Sequence, residues 1–415
     1  MPLPRLAASA GMCAVLLLVG CGSGDGGSAA QLAADRPAGS ASGSRSPAGH
    51  DAHGDASAAP AVESAPLRAG ERFLDLAMPG GAYSPAAPRG GQDEYRCFLL
   101  DPDLTEDTFV TGSEVLPGRT ELVHHAIVFR VRPDQVAAAE QADDGDAGTG
   151  WTCFGGSGLP GRGGADAVSS LDSAPWLSAW APGGGENVFG AGTGVRLQAG
   201  SRLVLQVHYN LRDLPAGGAP DDSGLRLRLA YGTADLTPLE TMLLVAPVEL
   251  PCAPGETGRL CDRETAVLDL MQRFGTSSGG TVAGLQLLCD GDLVNPPAGT
   301  TQQCDRRVQT PAVVRAVAGH MHLLGRSIKI ELNPGTPSAR TLLDREVWDF
   351  DNQRATPLSK PARIGPGDEL RVTCTHDAGL RRLVPELQDE QPRYVTWGEG
   401  TSDEMCLGIV VYTRT

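Results

Sequence analysis

Residues 317–332, V-A-G-H-M-H-L-L-G-R-S-I-K-I-E-L, constrain this 415-residue chain more than any other stretch. Apolar residues, the alternation at Ile328, Ile330 and Leu332, and the lack of a helix-start signal predict a strand. Side chains two apart on a strand point to the same side, so His320 and His322 present two imidazoles together. A metal site needs a third ligand, and the late segment W-G-E-G-T-S-D-E-M-C supplies one in Met405, between an acidic turn and an apolar strand. Two imidazoles plus a thioether favour copper over zinc, because thioether sulfur is soft and suits Cu(I).

The rest of the composition agrees with strands. Gly 54 and Pro 31 are high and aromatic residues are only 5%, which predicts many short segments joined by turns, hence a β-rich fold and not a helical one. The length suits two domains, each with material for its own core. A net charge of -16, with no basic run longer than Arg306-Arg307, argues against a nucleic-acid partner.

The first twenty residues carry Arg5 and an apolar run ending in Leu18-Val19-Gly20, with Cys21 directly after, which reads as a secretory signal too short to span a membrane after maturation. Leu18-Val19-Gly20-Cys21 resembles the lipobox of bacterial lipoproteins. Lipid on Cys21 is therefore expected to anchor the protein outside the cytoplasm, with an ordinary cleaved signal as the alternative. Without Cys13 and Cys21 eight cysteines remain, an even number that reads as disulfides in an oxidising compartment, and none has C-x-x-C spacing. Residues 21–70 lack the large apolar side chains a core needs and are expected to form a disordered tether. His50 and His53 within it are read as solvated linker residues.

Order is expected from about Phe73. Strands are predicted over residues 95–100, 121–131, 201–210, 225–231, 241–250, 284–288, 313–332, 347–350, 369–375 and 408–412. Residues 137–150 are turn-rich and 155–164 form a loop. Residues 263–274, with apolar positions Val267, Leu268, Leu270 and Met271, are the one helix candidate. A hinge at 233–238 divides the folded part into domains at 71–235 and 236–415. No dinucleotide, phosphate-loop or hydrolase-elbow motif is present.

His124 and His125 are neighbours inside a strand, so both reach one metal only where the backbone bulges or the strand ends; otherwise one is a core and one a surface histidine. In S-R-L-V-L-Q-V-H-Y-N, Leu203, Leu205 and Val207 face one way and Val204, Gln206 and His208 the other. His208 alone reads equally as a satisfied core histidine. His376 reads as an ordinary surface histidine, with a group that supports the metal ligands as the alternative. Taken together, five histidines and Met405 fall into two sets of three: His124, His125 and His208, and His320, His322 and Met405. Three ligands leave each metal an open position, as catalysis requires. Gln206 is the candidate to support His208 from behind.

The segments H-H-A-I-V-F at His124, L-Q-V-H-Y at Leu205, G-H-M-H-L-L-G at Gly319, G-D-E-L-R-V-T-C-T at Gly367 and G-T-S-D-E-M-C at Gly400 occur in one order. In them the chain resembles the type II copper, ascorbate-dependent monooxygenases, the group containing peptidylglycine α-hydroxylating monooxygenase and dopamine β-monooxygenase. The resemblance implies two antiparallel jelly-roll β-sandwich domains in tandem, each holding one of two coppers, facing across an open solvent-filled cleft. It implies that His124, His125 and His208 hold the electron-supplying copper, while His320, His322 and Met405 hold the copper that binds O2 beside a small-molecule substrate, with ascorbate or another one-electron donor as reductant. It also implies Cys97–Cys153 and Cys374–Cys406 disulfides. Cys252, Cys261, Cys289 and Cys304 then pair among themselves in one of three ways, of which Cys252–Cys261 with Cys289–Cys304 is expected.

The chain departs from the peptidylglycine enzymes where those bind a substrate carboxylate: Ala318, Leu407 and Ile409 replace an arginine, an asparagine and a tyrosine. A more apolar pocket is the expectation. Two other readings are a lipid-anchored copper-binding protein of the same fold without turnover, and zinc-stabilised structural domains, against which Met405 argues.

Overall fold

In a computed structural model, residues 64–87, 92–153, 156–159, 176–212, 214, 215 and 218–415 are described. The signal segment, Cys21, nearly all of the tether and most of the 155–164 loop lie outside these residues. The described chain is mostly β, built as sheets packed face to face. No helix among the described residues is long and apolar enough to cross a membrane.

A five-stranded sheet carries Trp151–Thr152, Asp93–Leu100, Arg202–Asn210, Val123–Val131 and Trp176–Trp180 in that spatial order. One face packs through Phe98, Val128, Leu203, Leu205 and Val207 against Val110, Leu225, Leu227 and Leu229 of a nine-stranded sheet. The other face buries Phe129, Val204 and the Cys97–Cys153 disulfide beneath the helix Val136–Gly145. That cover explains why the Arg202–Asn210 strand is buried on both sides despite its alternation.

A four-stranded sheet, Thr301–Arg307, Glu369–His376, Gly325–Leu332 and Arg340–Arg345, packs Ile328, Ile330, Val372 and Cys374 onto Leu243, Val314, Val317 and Val410 of the same nine-stranded sheet. That sheet changes from one packing to the other where Thr237 and Pro238 pair in parallel with Thr193 and Gly194. The disulfides are Cys97–Cys153, Cys252–Cys261, Cys289–Cys304 and Cys374–Cys406.

Arg263–Phe274 is helical, capped by Asp262 accepting from the Thr265 amide. Four local expectations need correction. Residues 284–288 continue the helix Thr276–Leu288: a short apolar run has no decisive period, and Gly279 lets this helix approach Met271, whose Sδ would lie 2.6 Å from an added Cβ. Residues 137–145 are helical because the alanines outweigh the Asp and Gly that read as turns. Residues 347–350 form a bend, with the Asp349 carboxylate accepting from the Asp351 amide. Finally, the predicted 313–332 strand is two strands, Ala312–His320 and Gly325–Leu332, joined by a tight corner.

Candidate metal centre

The corner between His320 and Gly325 is made by a buried carboxylate. Glu404 is 0% exposed and accepts from the amides of His322 at 3.0 Å, Leu324 at 2.6 Å and Met405 at 3.1 Å. Burial would raise its pKa, but the His376 and His322 interactions and the His322 amide bond hold it below the ordinary value. Glycines flank the corner because there is no room for more: a Cβ on Gly319 would lie 2.8 Å from Ile328, and one on Gly325 2.8 Å from Trp348. His320 and His322 therefore do not come together by strand alternation. A turn folds them together, with ring centroids 5.2 Å apart.

Hydrogen bonds fix what each ring offers. His322 Nδ1 lies 3.1 Å from the Asp403 carbonyl, so it is the protonated nitrogen, and Nε2 is buried with no partner. His320 Nδ1 lies 2.6 Å from Gln353 Oε1; with the amide oxygen accepting, Nε2 again carries the lone pair. Two imidazoles held in one tautomer, with Nε2 lone pairs free, suit a metal. Met405, buried and following Glu404 directly, lines one pocket with His320. The Cys374–Cys406 disulfide ties its segment to the Glu369–His376 strand.

His376 corrects a further expectation. It is 1% exposed, with Nε2 3.2 Å from the Met405 carbonyl and 3.4 Å from Glu404, so it braces the methionine segment from below.

The other histidine set is assembled by a bulge. The pairing of Val123–Val131 with Arg202–Asn210 skips between Val123 and His125, which makes His124 the extra residue and lets both adjacent rings reach one side. His208 lies opposite His125 and, on its other flank, opposite Tyr95. His208 Nδ1 is 3.0 Å from His124 Nδ1 and 3.4 Å from His125 Nδ1, and the three residues offer ligand atoms within 4.8 Å of one another. Asp93 accepts from His208 Nε2 at 2.8 Å and from the Thr401 hydroxyl at 2.8 Å. Burial works against the Asp93 charge, but those bonds keep it ionised below the ordinary range. Tyr95 stacks on His208 with centroids 4.0 Å apart, its hydroxyl donating to the Glu399 carbonyl. Gln206 does not serve this set. Its amide donates to the Gly156 carbonyl at 2.8 Å and faces the Cys97–Cys153 disulfide, because one step further along the same face the neighbouring strand presents Cys97 where it presents Tyr95 to His208.

No open cleft separates the two sets. His124 and His322 have centroids 6.4 Å apart, and His125 and His320 5.8 Å. The bend that replaces the predicted 347–350 strand closes the gap. Phe350 stacks on His124 at 5.1 Å, Gln353 holds His320, and the Trp348 indole donates to the His322 carbonyl at 3.2 Å. Arg354 donates to the Gly183 carbonyl at 2.7 Å.

Asp93, Tyr95, Gln353 and Glu404 all escaped sequence reasoning. For Glu404 there was a usable signal, its place beside Met405 in an acidic turn. For Asp93 and Tyr95 there was only the register opposite His208, which is visible once the strands are paired.

Two expected outcomes follow from these contacts. Gln353→Ala frees the His320 tautomer and should weaken metal binding at the His320 set about 10- to 100-fold while sparing the His124 set, read by isothermal titration with copper. Equal losses at both sets would contradict it. Secondly, burial lowers the pKa of His320 from the ordinary value of 6.5 to about 4, and holds those of His124 and His125 well below theirs. Between those pH values the unfolded chain binds more protons, so stability is full above the unfolded value and is lost as pH falls toward 4. Thermal melts of metal-free protein at descending pH should show falling midpoints; a flat profile from pH 7 to 4.5 would be the contrary result.

Fold and site together define an all-β sandwich protein with a histidine-rich candidate metal centre. Residues 298–415 match the family model described as copper type II ascorbate-dependent monooxygenase, C-terminal domain. The match covers the C-terminal part of the chain and supports a relation to that family through this domain. Similarity is also found to the major capsid protein P2 of bacteriophage PM2, at 10% identity over 82% of this chain and 97% of that chain, with a TM-score of 0.29. Allantoicase from Saccharomyces cerevisiae gives 9% identity, 80% and 81% coverage and a TM-score of 0.18. A striped bass serum fucolectin, from Morone saxatilis, gives 8%, 83% and 97%, with a TM-score of 0.16. TM-scores this low carry no weight for fold or function.

Proposed function

We propose that the protein is a copper-dependent monooxygenase that hydroxylates a C–H bond of a small organic substrate, using O2 and one-electron reduction by ascorbate or a similar donor. The observation that carries this reading is the buried, unpartnered Nε2 of His322, fixed by the Asp403 carbonyl, beside His320 and Met405. The donor chemistry fits copper: a soft sulfur with two neutral imidazoles on one side, three imidazoles on the other.

The halves 71–235 and 236–415 each supply one set, and two ions bind per chain. Bound copper would supply one-electron redox chemistry and activation of O2. The chain's own residues do the rest. Asp93, Gln353 and the Asp403 carbonyl hold the protons of His208, His320 and His322 on the nitrogens that face away from the metal. Glu404 sets the corner, and the 347–354 bend packs against both sets through Phe350 on His124, Gln353 on His320 and Trp348 on the His322 carbonyl. Lipidation of Cys21 would place this chemistry outside the cytoplasm on a membrane surface, a reading that rests on the sequence alone.

Copper-reconstituted protein should consume O2 with ascorbate only when an acceptor substrate is present, and yield one hydroxylated product per O2. Tight copper binding with no substrate-dependent uptake across a broad panel would favour the copper-binding protein without turnover.

A further inference from the structure

The pocket beside the histidines is open over about 720 Å³, its mouth included, and its walls come from both sandwiches. His125, His320 and Met405 stand at one side of it. Elsewhere, apart from Gln353 and Glu399, the lining is indole and aliphatic, chiefly Trp176, Trp180, Trp397, Leu243, Leu407 and Ile409. The Trp180 indole N–H is spent on the Gly184 carbonyl at 3.1 Å, so that ring offers no donor to a ligand. Among the described residues no lysine or arginine lines the pocket, and its acidic residue is Glu399. Leu407 and Ile409 follow the Cys374–Cys406 disulfide on a strand that pairs Ile409 with Ala318 and Leu407 with His320, so this wall is fixed to the metal corner by backbone hydrogen bonds.

We propose that this pocket binds an uncharged, apolar substrate of about the size of a substituted benzene ring, with its C–H bond directed toward His320 and Met405. This rests on the oxygenase reading for the direction of the substrate, but not for its binding. A carboxylate brought here would lose its hydration, find no lysine or arginine among the described residues and meet Glu399. An ammonium group would leave water for walls that are mostly hydrocarbon, and one carboxylate already set in the Tyr95 and histidine surroundings is a poor exchange for full hydration. A neutral ring gives up only ordered water and gains contact with three indoles.

The test uses the full-length protein without reductant, so that binding is read apart from turnover. Propylbenzene, 3-phenylpropanoate and 2-phenylethylamine are titrated in turn, and quenching of tryptophan fluorescence is followed. Propylbenzene should bind about tenfold more tightly than either charged probe, the difference set by the cost of burying an unpaired charge. Ile409→Lys should reverse the order of propylbenzene and 3-phenylpropanoate. Absence of propylbenzene binding, or equal or tighter binding of either charged probe by the wild-type protein, would overturn the assignment, and that comparison stands even if the variant does not fold. Strong propylbenzene binding without hydroxylation would leave this inference intact and count against the oxygenase reading alone.

Discussion

Glu404→Ala is expected to cost about 4 kcal/mol of stability and to abolish metal binding at the His320 set. The size follows from what the carboxylate does. It is fully buried, it satisfies three backbone amides of the corner and the methionine segment, and it faces His376. Alanine leaves those donors without water or partner, and each buried orphan costs about 1–3 kcal/mol. The corner must then open to hydrate them, and His322 and Met405 move with it. Urea unfolding at neutral pH, with copper content measured on the same preparation, checks both parts. Glu404→Gln, which keeps one acceptor oxygen, should fall between. A loss below about 1 kcal/mol for the alanine variant would mean the corner is held by something else.

Met405→Ala is expected to leave the fold and the His124, His125 and His208 set intact while lowering hydroxylation on the order of 100-fold or more. Met405 is buried beside the pocket, and its replacement removes the only sulfur among the proposed ligands. Its own packing loss is about 2–4 kcal/mol, which the Cys374–Cys406 tie limits to local rearrangement. The split between sites is what makes the variant informative. Copper retained at the three-imidazole set with turnover lost supports separate roles for the two sets. Full activity would refute the role given to the thioether.

How much of this could be seen in the sequence depended on whether a feature was local. The β character and the Arg263–Phe274 helix were readable, because alternation and apolar spacing act within a few positions, and residue type singled out His124, His125 and His208, whose ligand atoms lie within 4.8 Å of one another. The pairing of His320 with His322 was anticipated for the wrong reason. Alternation predicted it, whereas a carboxylate more than eighty residues later folds the chain there, and no local pattern announces that. Likewise the adjacency of His124 and His125 required a bulge, and only the pairing with Arg202–Asn210 shows where it falls. Gln206 illustrates the opposite limit. It shares a strand face with His208 by period, but its immediate neighbour is the Cys97–Cys153 disulfide. Residues 347–350 looked like a strand because Val, Trp and Phe fit one, and became the bend that joins the two histidine sets because Trp348 bonds across to Arg326 and His322.

The open cleft implied by resemblance is where the structure changes the chemistry most. His124 and His322 meet edge to face and Phe350 stacks on His124, so the two sets are joined by packed rings and not separated by bulk water. The central claim is that a thioether and two imidazoles hold one copper while three imidazoles hold another. X-ray absorption on the reduced, copper-loaded protein tests it most directly. Two coppers per chain are predicted, with sulfur scattering from one of them that disappears in Met405→Ala. A single copper, or purely nitrogen and oxygen ligation in the wild-type protein, would contradict it.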